Sequence, residues 1–503
     1  MCTEVAVRSR REARSARERG SRATWALAAV LATTALGCGA DAGPAHESRQ
    51  TQPPGWDAEV ALREAVDSNP DPRIVEVNVT ASIAPVPVVP GHRTAAWTYD
   101  GSLPGSLIRA RVGDPVIVHF TNLLPEPTTI HWHGMRVPAA MDGAPGHSQA
   151  EVEPGSGFTY DFVATDASLF WYHPHVRSAA QVGNGLYAPL LVEDPADPVA
   201  AESVVLVLSD IGTDLAGNLQ DPTGGGDVGT LFGREGDRLL VNGRTRPTLT
   251  VRPGLVLRLR LVNTARSRYY QLALAGHRFR RIGGDGGLIE YPVDSDTVVL
   301  APAERADVLL VPEGEPGSVL TVRWVAYDRG FGSTYNRPDE PVFYLKLAER
   351  AELTRTLPTT SRTIEPLELA GATPIDLRFT DAIEAERLVM GINDVPFSRA
   401  EPVRGALGET QVWSLTNEMD FAHPFHLHGF FFQLLDANGA PVRPLEWKDT
   451  VDVPVGQSRR IAVRYDERPG MWMFHCHILD HADAGMMGML DLAEHATGHA
   501  AQH

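Results

Sequence analysis

The feature that most constrains this chain is a ten-residue pattern that occurs three times. Gly113-Asp-Pro-Val-Ile-Val-His-Phe-Thr-Asn122, Gly254-Leu-Val-Leu-Arg-Leu-Arg-Leu-Val-Asn263 and Gly408-Glu-Thr-Gln-Val-Trp-Ser-Leu-Thr-Asn417 each place Asn nine positions after Gly. Self-similarity of this kind means repeated structural units. A second element follows each copy in the same order: Glu153-Pro154-Gly155 before Tyr160-Asp161-Phe162, Ala301-Pro302-Ala303 before Ala306-Asp307-Val308, and Pro454-Val455-Gly456 before Ile461-Ala462-Val463. Turn then strand recurs, so the chain carries three related domains.

Their class follows from periodicity. Leu255, Leu257, Leu259 and Leu261 alternate with Val256, Arg258, Arg260 and Val262, as expected of a half-buried strand, and long helical stretches are few. The class is all-β. A chain of 503 residues, 43% of them hydrophobic, is long enough to give each domain its own core. The spacing sets domains at 73–195, 196–350 and 351–495, with Leu353 to Thr363 as the last linker and a frayed tail at 496–503.

The first 38 residues read as a leader. Seven arginines between Arg8 and Arg22 precede an apolar stretch from Trp25 to Leu36, too short to cross a bilayer. Ala35-Leu36-Gly37-Cys38 resembles a bacterial lipobox, so the expectation is export to the periplasm or cell envelope with a lipid anchor on Cys38, the only membrane contact expected. Residues 39–72, rich in Ala, Pro, Gly, Asp and Glu, read as a flexible tether. The net charge of -18, without a basic run beyond the leader, argues against nucleic acid as a partner. A monomer is expected.

Of three cysteines, only Cys476 lies beyond the leader, which excludes a disulfide framework. Its surroundings supply another explanation. Four segments hold ten histidines: His131-Trp132-His133-Gly134, His173-Pro174-His175, His423-Pro424-Phe425-His426-Leu427-His428-Gly429, and His475-Cys476-His477 with His481. A single His-x-His is weak evidence, but the repeat strengthens it. His131 and His426 each lie nine residues after their Asn, and the later pairs fall on equivalent later strands. The middle domain has Leu272-Ala-Leu and Trp324-Val325-Ala326 near those places. Eight imidazoles thus come as matched sets from the outer domains and meet between them.

Residues i and i+2 of a strand share a face about 7 Å apart, so each pair can serve adjacent ions. Neutral imidazoles suit copper better than magnesium or calcium. The same alternation turns Cys476 away from His475 and His477, towards a second site. His423, His481 and Met486 are its candidate partners, the two-imidazole, one-thiolate, one-thioether set of a blue copper centre. Zinc is the rival, although its tetrahedral sites rarely use a thioether. Met487 is adjacent, so Met486 is chosen on spacing alone.

These four segments in this order resemble the signature of the multicopper oxidases, over roughly residues 73 to 493. The resemblance implies three cupredoxin-like Greek-key β-sandwich domains and four copper ions. It implies type 1 copper on His423, Cys476, His481 and Met486, and type 2 copper on His131 and His426. The type 3 pair falls to His133, His173, His175, His428, His475 and His477. Asp142, in Met141-Asp142-Gly143, matches an acid that helps deliver protons to oxygen, against the plain reading as an Asp-Gly turn. One departure is Ala482, where many bacterial relatives carry Glu after the last ligand; Asp480 and Asp483 are the substitutes at hand.

The function implied is a laccase-like oxidation of phenols or aromatic amines coupled to reduction of O2 to water, with Cys476 in the electron path. The alternative donor is a metal ion, Cu(I) or Fe(II). The chain has ten methionines and no such Met-rich insertion as copper-tolerance oxidases carry, which ranks the organic donor first. A copper-free structural relative and a copper store are the readings of other classes.

Overall fold

The three decapeptides form corresponding central strands. In the computed structural model, which describes residues 60–493 except 200, 331–336, 351–356 and 358–361, Pro115–Asn122, Leu257–Asn263 and Thr410–Asn417 each lie between two partners. One neighbour is parallel: Val75–Val86, Glu202–Ile211 and Thr373–Glu384, respectively. The other is antiparallel: Gly157–Val163, Arg305–Leu310 and Ser458–Arg464. Each of these sheets is accompanied by a second, so that six sheets make three β-sandwiches. The leader, Cys38, the tether up to residue 59, most of the last linker and the tail lie outside the described residues.

The conserved spacing has a local cause. Gly113, Gly254 and Gly408 turn into the strand with φ of 94°, 84° and 77°, a region that costs glycine little. At the other end Asn122, Asn263 and Asn417 play one role three times. Asn122 Nδ2 donates to the carbonyls of Glu126 and Val152, Asn263 Nδ2 to those of Arg268 and Leu300, and Asn417 Nδ2 to those of Phe421 and Val453. Each Asn Oδ1 accepts from the backbone N–H two residues on. The amide thereby sets the path of the loop that leads to the next strand, and in the outer domains that strand carries histidine.

Two expectations are corrected. Leu257–Asn263 is buried on both faces, not one. Leu257, Leu259 and Leu261 fill the middle core, whereas Val262 packs with Trp171 and Val86 of the first domain. Arg258 reaches Asp307 and Asp197, so its charge is paired despite burial. The tether also ends earlier than residue 72. Val60 is buried in the middle core, its carbonyl accepts from Asn242 Nδ2 at 2.6 Å, and Ala65 N–H donates to Leu107 at 2.8 Å. This stretch lies extended along other elements and lacks a period of its own, which hides it in the sequence.

Candidate metal centre

The antiparallel strands His131–His133 and Ser168–His173 pair His131 with His173. Their counterparts in the third domain, His423–Leu427 and Gly470–Cys476, pair His426 with His475 and Phe425 with Cys476. All ten histidines of the four segments and Cys476 are buried, His175 being the most exposed at 7%. Among them the two outer domains converge: the rings of His131 and His428 stack at 3.8 Å and those of His133 and His426 at 3.7 Å between centroids.

Three nitrogen groupings define the cavity. His175 Nε2 and His428 Nε2 lie 3.3 and 3.2 Å from His475 Nε2. Ligand atoms of His131, His426 and His428 lie within 4.8 Å of one another, as do those of His131, His133 and His173. The His477 ring stands 4.9 Å from that of His133 and 5.4 Å from that of His173. His131 Nε2, His133 Nδ1, His173 Nε2, His426 Nε2 and both nitrogens of His477 are buried without a hydrogen-bond partner. Buried polar atoms left so are costly unless something else binds them. Burial holds His133, His173, His175, His475 and His477 well below the usual imidazole range and brings His428 to about 3, so these rings keep free lone pairs. Orphaned, neutral, convergent nitrogen donors fit copper.

Cys476 faces the other way. Its Sγ lies 3.4 Å from His423 Nδ1 and 3.7 Å from His481 Nδ1, and those two nitrogens are 3.1 Å apart. Burial pushes the thiol up, so a thiolate here requires a cation beside it. Met486 is fully buried in the core that contains Cys476, and its carbonyl accepts from Cys476 N–H at 3.1 Å. Met487 points to the opposite face and packs with Met473 and Met489. Alternation thus separates the two adjacent methionines. His475 Nδ1 donates to the Cys476 carbonyl at 2.9 Å, joining the two sites through a hydrogen bond as well as through the backbone.

Asp142 is 1% exposed and reaches both outer-domain sets. Its Oδ2 accepts from His428 Nδ1 at 2.8 Å, and its carbonyl accepts from His131 Nδ1 at 2.8 Å. Burial alone would raise its carboxyl, but the His428 and His131 rings outweigh burial and hold it well below the usual range. Asp480 and Asp483, the candidates for the missing Glu, are both held by partners in other domains. Asp480 Oδ1 pairs with Arg234, and its Oδ2 accepts from Ser267 Oγ at 3.1 Å. Asp483 accepts from the N–H groups of Ser178 and Ala179 at 3.1 and 3.0 Å, at the start of the helix Ser178–Gly183.

Three functional neighbours escaped the sequence reading. Asp449 Oδ1 accepts from His133 Nε2 at 3.3 Å, and the Asp449 carbonyl accepts from His426 Nδ1 at 2.9 Å. Arg305, from the middle domain, donates to both carboxylate oxygens. Burial would raise Asp449, but Arg305 overrides it and keeps the carboxylate ionised. The two partners are 144 residues apart, and the only local hint is a charged Lys448-Asp449 step entering a buried strand. The third omission is a cluster of methionines: Met471, Met473, Met487 and Met489 pack together, although Met471 and Met473 are separated in sequence from Met487 and Met489. Alternate positions on two antiparallel strands bring them together.

Comparison with known proteins agrees with this geometry. Multicopper oxidase family profiles match residues 82–197, 202–321 and 369–495. The chain belongs to the multicopper oxidases: it is 33% identical over 454 residues to the multicopper oxidase MmcO of Mycobacterium tuberculosis, covering 82% of this chain and 87% of that one. It is also 26% identical to the Bacillus subtilis laccase, over 80% of this chain and 91% of that one. Among solved structures it is similar to a Campylobacter jejuni multicopper oxidase described as a metallo-oxidase (TM-score 0.77, 26% identity, 86% of this chain and 94% of that one). A multicopper oxidase from Pseudomonas thermotolerans also matches (TM-score 0.72, 31% identity, 84% and 99%). The chain is therefore a copper-dependent oxidoreductase of three cupredoxin domains that uses O2 and a reducing substrate, of the bacterial laccase-like type.

Proposed function

We propose that this enzyme oxidises phenols or aromatic amines by single electrons at a type 1 copper on His423, Cys476, His481 and Met486. In this reading three further coppers, four in all, occupy the histidine cavity: type 2 on His131 and His426, type 3 on His133, His173, His175, His428, His475 and His477. Copper in these donor sets supplies one-electron redox chemistry and the four-electron reduction of O2 to two waters.

The chain's own residues supply the rest. The backbone bonds from Cys476 to His475 and to His477 form two covalent paths of equal length from the thiolate to the cavity, and the hydrogen bond from His475 Nδ1 to the Cys476 carbonyl adds a third, non-covalent one. Asp142 holds His428 through Nδ1 and so leaves Nε2 facing inward. In the same position its carboxylate is suited to pass protons to oxygen, the role assigned to it here. Asp449, kept ionised by Arg305, orients His133 in the same manner.

The observation that carries the organic donor is the cover of the Cys476 site. His481 Nε2 donates to the Leu231 carbonyl at 3.3 Å, within the middle-domain helix Gly226–Phe232. That segment contains no Met, His or Cys, and its only acid, Asp227, accepts from Leu388 N–H at 3.2 Å. Such a cover offers a surface for electron transfer from a docked ring and no soft ligands for a metal-ion substrate. The net charge of -18 favours the second reading, a metallo-oxidase that draws in Cu(I) or Fe(II). Steady-state kinetics with a bulky phenol and with Cu(I) decide between them: Cu(I) turnover far above phenol turnover overturns the first reading. A purified protein lacking both copper and blue colour would instead support a structural relative. We further propose a monomer held in the cell envelope by a lipid on Cys38, which mass spectrometry of the mature N-terminus tests.

A further inference from the structure

Four methionines that the chemistry above does not use share one face of a single hairpin, Gly470–Cys476 with Met487–Ala493. The register pairs Met473 with Met489 and His475 with Met487. Cross-strand partners point the same way with Cβ atoms about 5 Å apart, and Met471 joins them by the two-residue alternation. These side chains form a cluster of their own with Ala144 and Phe397. Met473 and Met489 are buried, whereas Met471 and Met487 are half-buried. The face is thus a row of thioethers that begins at partly exposed Met471 and ends beside His475, whose Nε2 belongs to the histidine cavity.

The opposite face of the same strands carries Trp472, Phe474, Leu490 and Leu492, ordinary core residues. Methionine is not among the residues that strands favour, and leucine of similar volume fills such positions equally well. What a thioether adds is a soft donor, matched to Cu(I). The row also ends at the wrong centre for a substrate route, since Cys476 lies on the other face and takes up the electrons.

We propose that this thioether row binds Cu(I) and delivers it to the histidine cavity, so that copper is loaded there in its reduced state. Each transfer is a ligand exchange in which one thioether sulfur replaces another and finally His475 nitrogen replaces sulfur. The ion keeps its charge, no electron moves and no covalent bond of the chain breaks. His147, exposed and edge-on to Phe397 with ring centroids 5.8 Å apart, stands next to a residue that packs against the cluster. The inference rests on the histidine cavity holding copper, as proposed above.

The test uses the full chain stripped of copper, without oxygen, and follows copper uptake from Cu(I) and separately from Cu(II). In a Met471→Leu/Met473→Leu/Met487→Leu/Met489→Leu variant, uptake from Cu(I) is expected to slow about tenfold or more while uptake from Cu(II) stays as in the parent. The smaller Met487→Leu/Met489→Leu change covers the case in which four substitutions impair folding. In parallel, Ag(I) added to protein labelled at the methionine methyls should shift those of Met471, Met473, Met487 and Met489 and leave Met135 and Met419 in place. Equal uptake rates in parent and variant, equal slowing from both copper sources, or unmoved methyl resonances would overturn the proposal. A parent chain that takes up copper from neither source overturns the copper-cavity reading itself, a result distinguishable from the others.

Discussion

His131–His133 in the first domain and Tyr270–Leu274 in the middle one follow the same capped loop, yet they differ in what they bury. In the first, His131 faces His173 across the pair; in the second, Leu272 faces Trp324. Leu272, Leu274 and Trp324 belong to one continuous apolar core in the middle domain, and Trp324 Nε1 finds its acceptor in the Tyr269 carbonyl at 2.9 Å. The outer domains give up apolar packing at the corresponding strands and turn unpaired nitrogens towards each other. One architecture therefore supports a self-sufficient core in one copy and an incomplete interior in the other two, completed only by a metal.

The sharpest break of this comparison is Cys476→Ser, which should abolish blue absorbance and steady-state turnover while leaving the copper of the histidine cavity in place; retained blue colour would refute the site. Asp142→Asn should slow oxygen reduction by about a hundredfold or more while leaving substrate oxidation in single-turnover work nearly unchanged, since proton transfer by a positioned side chain typically contributes that much. Substitution in the middle copy should do the reverse. Trp324→Ala is expected to cost about 3–5 kcal/mol in denaturant unfolding without altering the bound copper, and loss of copper with unchanged stability would contradict the division drawn here.

A smaller difference between the copies sits in the second repeated element. Gly155 and Gly456 hold φ of 79° and 64°, but the middle copy places Ala303 there at 79°. A side chain in that region is strained by about 1–2 kcal/mol, partly offset by the extra freedom glycine has when unfolded. Ala303 is also fully buried, so losing its methyl costs about 0.8 kcal/mol; the terms nearly cancel, and Ala303→Gly should move the denaturation midpoint little, with catalysis unchanged.

Much of this was legible in the chain because the decisive signals are periodic. The Gly-to-Asn spacing gave three sandwiches, and strict alternation around Cys476 gave two sites from three consecutive residues. What stayed hidden depends on register between strands or on contacts across domains. Nothing in the sequence says that Met473 lies opposite Met489, that Arg305 reaches Asp449, or that Val60 enters the middle core. The partners of Asp480 and Asp483 were hidden for the same reason. These acids stand near a ligand in sequence, whereas their partners, Arg234 and the Ser178 helix, lie in other domains.

The hairpin that ends in Cys476 also restricts how such an enzyme can change. A slip of one residue between Gly470–Cys476 and its neighbour would turn the sulfur into the histidine chamber and drive two imidazoles into an aromatic core. Neither centre can be repositioned alone, because insertion or deletion within this strand disables both in a single event. Transplanting one half of the apparatus onto another sandwich would therefore fail unless the whole ribbon, with its pairing intact, moved with it.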